Sequence, residues 1–164
     1  MGANTFATRL LRMGPLGKVR AAKLAALPAS LLALASPPEW QLLLFAASAI
    51  FFSASWILDA ATTAALLSAG ETESNRVLAF LATKLTPMHA EVATALALNV
   101  PLLLASAYTI SFALSIPIAN AASSVALLMG AGHASAGALN LKLLRAKSRA
   151  SPDGHAPPKI GIRK

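Results

Sequence analysis

Apolar positions in this chain come in long blocks rather than in the interleaved pattern of a water-soluble core. The clearest block is 41–69, QLLLFAASAIFFSASWILDAATTAALLSA, which holds one ionisable side chain, Asp59. A helix needs about 20 apolar residues to cross ~30 Å of hydrocarbon, so this run predicts a membrane span. Residues 90–113 predict a second, with Pro101 removing one backbone hydrogen bond and kinking it. Residues 118–141 predict a third, free of formal charge apart from His133 and followed by Lys142, Arg145, Lys147 and Arg149. The short connection at Ser115-Ile116-Pro117 makes these last two an antiparallel hairpin.

Residues 24–37 are the weakest of the blocks, short and interrupted by Pro28. Three readings fit them: a tilted first span, a cleaved signal sequence ending near Ala33-Leu34-Ala35, or a helix lying at the interface. Between the blocks, residues 76–86 carry Val77, Leu78, Phe80, Leu81 and Leu85 beside Arg76, Thr83 and Lys84, the pattern of a short amphipathic helix along the headgroups. The expectation is an all-α, polytopic membrane helix bundle of three or four transmembrane helices. Its parts are a basic N-terminal segment 1–23, the bundle 24–146, and a basic disordered tail 147–164.

Composition sharpens this picture. The chain has 164 residues, 56% hydrophobic and 12% charged, with a mean hydropathy of +0.63. Three or four spans use up that length and leave no second domain. The formal charge of +8 is concentrated at the two ends. With four spans, or with a cleaved leader, every loop on the outer side lacks Lys and Arg. Both basic ends and the 71–88 loop then lie inside, a multi-pass cell-membrane protein with a cytoplasmic tail facing an anionic inner leaflet. The basic tail has no aromatic stacking residue to support nucleic-acid binding, which is not expected. With no cysteine, disulfides, thiolate metal sites and cysteine nucleophiles are excluded together.

Chemistry is therefore sought among the few polar groups inside the blocks. Asp59, Thr63, Gly70 and Glu73 step by helical intervals, with Asn75 just beyond, and a helix continuing through Gly70 would set them on one stripe. If the helix stops at Gly70, Asp59 locks packing through threonine, and Glu73 and Asn75 cap a following helix. A second group comprises His89 and Glu91 at the start of one span, and His133 and Asn140 in the next. Gly130, His133, Gly137 and Asn140 share a face suited to close helix packing.

Around Asp59 the chain resembles a family of small multi-helix prokaryotic membrane proteins called domain of unknown function 5658. The likeness rests on Asp59, Thr63, Gly70, Glu73 and Asn75 at the family's spacing, with Arg76 where the family pattern has proline. It covers about 25 residues and the plan of two later membrane helices. It implies a polar site and no activity.

No His-Glu-x-x-His pair, Gly-x-Ser-x-Gly elbow or phosphate loop is present. The residues first suggest a structural or accessory subunit acting through helix–helix contacts, with a membrane-protein partner or a second copy. The alternatives are a small cation- or proton-coupled transporter using Asp59 and Glu73, and an intramembrane metal enzyme in which His89 and His133 converge with the carboxylates.

Overall fold

A computed structural model describes residues 14–150 except Ser74. Among the described residues the chain is all helical, with no strand. Helix α1 spans Pro15–Leu34, α2 Pro38–Ser68, α3 Arg76–Ala82, α4 Pro87–Leu114 and α5 Ile118–Ala150.

Several boundaries differ from the sequence expectation. Helix α1 starts at Pro15, not at residue 24, so Lys18, Arg20 and Lys23 belong to it. Proline at the first helical position costs no hydrogen bond, and Lys, Arg and Ala are good helix formers. Pro28 does not interrupt it; it sits on the exposed side and the helix continues to Leu34. Helix α3 ends at Ala82, short of residue 86. Helix α5 runs to Ala150, past the expected start of the tail at 147, while residues 151–164 lie outside the described chain.

Side-chain pairings fix the directions. Ser30 Oγ bonds Ser124 Oγ, and the Asn120 amide donates to the carbonyls of Leu34 and Ser36 at 3.1 and 2.9 Å. Lys23 lies over Gly132, so α1 runs antiparallel to α5. Phe51 and Phe52 face Gly130, and Leu58 and Asp59 face Gly137, so α2 runs parallel to α5. The left-handed Ser115 (φ 53°) closes the turn from α4 into α5, with Ile116 N–H reaching Ser111 O at 3.1 Å. Helix α5 is the hub, packed on α2, α1 and the second half of α4. All nine Lys and Arg of the described residues gather at one end: the start of α1, the α3 region and the end of α5. The opposite end, with residues 35–37 and 115–117, has none.

Burial is inverted relative to a soluble bundle. Ser123, Ser124 and Asn120 are 1%, 2% and 3% exposed, whereas Leu32, Leu42 and Phe112 are 74%, 79% and 80% exposed. Two helices, α2 with 31 residues and α4 with 28, are long and apolar enough to cross a membrane, and in each only 11% of the apolar window is buried. These correspond to the expected spans 41–69 and 90–113. The expected spans 24–37 and 118–141 fall in helices that do not reach that hydropathy: α1 carries three basic residues, and α5 carries the serines, glycines, Asn120 and His133 that face its neighbours.

Helix α4 is not uniform. Ala95–Asn99 form a π-helical turn in which Val100 N–H reaches Ala95 O. Pro101 has no N–H to offer the carbonyl four residues back, and the helix takes up the mismatch by widening one turn.

Candidate functional site

The site starts where α2 and α5 touch. Gly137 lets α5 approach so closely that a β-carbon there would lie 3.0 Å from Asp59 N and 3.2 Å from its Cα. That contact brings Asp59 between two α5 side chains two turns apart, His133 and Asn140. His133 Nδ1 donates to Asp59 Oδ2 at 2.8 Å, and Asn140 Nδ2 reaches Asp59 Oδ1 at 3.3 Å and Thr63 Oγ1 at 2.9 Å. Thr63 Oγ1 stands 3.5 Å from Asp59 Oδ1. The ring of Phe52 meets His133 edge to face, centroids 5.9 Å apart. Glycine at positions 130 and 137 and polar groups at 133 and 140 thus form one α5 face against α2.

Helix α2 then stops. Gly70 adopts φ +81°, and Glu71 N–H returns to Leu66 O at 3.1 Å, a glycine-terminated helix end. The stripe from Asp59 to Glu73 therefore does not lie on one helix. The chain folds back instead: Glu71 pairs with Lys147 of α5, and Asn75 N–H donates to Glu73 Oε1 at 2.7 Å. Asn75 Oδ1 accepts from Val77 and Leu78 N–H at 3.1 and 3.4 Å, capping α3.

Between α1, α2, α4 and α5, at the basic end, lies a cavity of about 680 Å3. It gathers polar side chains that are far apart in sequence: Asp59, Thr63, Glu71, Glu73, Asn75, Glu91, His133 and Asn140 all line it. Four of the chain's six Asp and Glu residues are in this set, and no Lys or Arg of the described residues is. Glu91 reaches it from the first turns of α4. Among the described residues nothing donates a hydrogen bond to Glu91 and no cation pairs with it; its charged neighbours are Asp59 and Glu73.

Two sequence candidates lie elsewhere. His89 is exposed, its Nδ1 2.5 Å from Thr86 Oγ1 at the start of α4, and does not line the cavity. Gly70 ends α2 and does not line the cavity. Conversely, Thr94 and Asn99 line the cavity although sequence reasoning passed over them. Asn99 is the polar residue in the middle of an apolar block, the same signal that marked Asp59. Among the described residues no group of three or more His, Asp or Glu side chains is placed to hold a metal ion.

The chain matches no family model, no curated protein and no solved structure.

Proposed function

We propose that this chain is a four-pass membrane protein whose cavity takes up a cation or proton at its cytoplasmic end, as a small cation-coupled carrier. One observation carries the reading: Glu91, in the first turns of an apolar helix, lines the same cavity as Asp59 and Glu73 and has no partner among the described residues. A carboxylate within a membrane helix is costly unless neutralised, so such a group is held for a proton or a cation. Asp59 and His133 add a hydrogen-bonded carboxylate–imidazole pair to the lining of the same cavity.

The membrane assignment is supported by α2 and α4, by the apolar outer surface, and by α1 and α5 lying lengthwise beside them. Lys and Arg at one end only favour that end as cytoplasmic, against an anionic leaflet, which places the C-terminal tail inside. The resemblance to domain of unknown function 5658 adds a shared polar motif through Asp59, Thr63, Glu73 and Asn75.

A structural or accessory role has its own support in the Gly137–Asp59 clamp, through which a partner or second copy would be presented with a rigid α2–α5 pair. It leaves the cavity and Glu91 without a purpose. The intramembrane metal enzyme has no ligand set behind it among the described residues. The test is flux: in sealed proteoliposomes containing a pH-sensitive dye, an inward cation gradient should drive protons out only when the protein is present. A pH trace identical to that of empty liposomes, for monovalent, divalent and organic cations alike, would refute carriage.

A further inference from the structure

The cavity is wider and more apolar than an inorganic ion requires. At about 680 Å3 it falls within the ~300–1,000 Å3 of pockets that enclose organic ligands. A bare divalent ion instead needs several oxygens drawn to about 2.0–2.6 Å of one point, and no such convergence exists among the described residues. The aliphatic side chains of Leu66, Leu78 and Leu139 line the same space as the carboxylates, and no Phe, Tyr or Trp of the described residues does.

The acidic groups are not equivalent. Asp59 is engaged by His133 and Asn140, and Glu71 by Lys147. Glu91 is left to face the cavity and its leucines, on the helix whose π-helical turn also presents Asn99. A ligand that satisfies this arrangement carries one positive charge and a hydrocarbon surface, without needing a stacking partner.

We propose that the cavity binds an organic ammonium ion with an aliphatic body, its charge held by Glu91 and its hydrocarbon laid against Leu66, Leu78 and Leu139. The inference rests on the cation-handling reading and narrows its cargo. Affinity should rise with alkyl length, by about three- to fourfold per methylene buried, until the cavity is filled.

The full chain in lipid nanodiscs, dialysed against radiolabelled tetramethyl-, tetraethyl- and tetrapropylammonium, tests this, with empty nanodiscs measuring partition into lipid. These probes keep their charge at any pH. One saturable site per chain is expected, at least tenfold tighter for tetrapropyl- than for tetramethylammonium. Glu91→Gln should weaken it at least tenfold, and Glu91→Asp should retain most of it. Circular dichroism and gel filtration of each variant separate lost binding from lost folding. Binding no greater than that of empty nanodiscs, or unchanged in a folded Glu91→Gln protein, would overturn the proposal. If sodium or magnesium binds in a Glu91-dependent way while no tetraalkylammonium does, the cargo inference falls and the cation-handling reading stands. If no cation binds, both fall.

Discussion

Gly137 carries more of the architecture than its size suggests, because the backbones of α5 and α2 come close there. A methyl group at this position would stand 2.9 Å from Leu58 Cγ, which can move, and 3.0 Å from Asp59 N, which cannot without shifting α2. Gly137→Ala should therefore cost about 1–3 kcal/mol, the usual penalty of overpacking, read as a lower melting temperature in detergent. Gly14→Ala, with open space around it, should change nothing measurable. At Asp59 two substitutions separate packing from charge. Asp59→Asn keeps the shape and one acceptor oxygen. Asp59→Leu leaves His133 Nδ1 without its acceptor and Asn140 with Thr63 alone, at about 1 kcal/mol for a lost hydrogen bond at a part-buried group. The leucine variant should melt lower than the asparagine variant, and equal melting would show that these hydrogen bonds do not hold the helices together.

At the scale of elements, the π-helical turn of α4 sets where Glu91 and Thr94 point relative to the rest of the helix. A slip of one residue in register corresponds to a rotation of about 100°. Pro101→Ala would restore a backbone donor and let the α-register continue. The expected result is unchanged or higher thermal stability together with weaker cation binding, and unaltered binding would show that the turn does not position the site. Pro101 was legible in the sequence as a perturbation, but a kink and a widened turn share the same local cause, which the sequence does not separate. The apolar blocks of α2 and α4 and the turn at 115–117 were equally legible, since each depends on local composition. The start of α1 was not: Lys18, Arg20 and Lys23 look like flanking charge, although they favour a helix. Asp59, His133 and Asn140 announced themselves as polar residues at helical spacing. That Glu91 enters the same cavity depends on how α4 sits against α2, a non-local arrangement no spacing encodes.

Across the whole molecule, all described Lys and Arg lie at one end and the cavity lies at that same end. If that end is cytoplasmic, single cysteines placed in this cysteine-free chain report the topology. Ser36→Cys and Ser115→Cys should react with a membrane-impermeant maleimide on intact cells, and Thr83→Cys and Ser148→Cys only after permeabilisation. Reaction of Thr83→Cys on intact cells would reverse or break the four-pass arrangement. The most direct test of cation handling compares two glutamates in the same proteoliposome flux experiment. Glu91 lies in the cavity, and Glu39 is exposed at the opposite end of the bundle. Glu91→Gln should reduce cation-driven proton movement at least tenfold while folding normally, and Glu39→Gln should leave it at the wild-type rate. Wild-type flux in a folded Glu91→Gln protein would mean that the charge in the cavity is not used, and the chain would then be better read as a packing subunit.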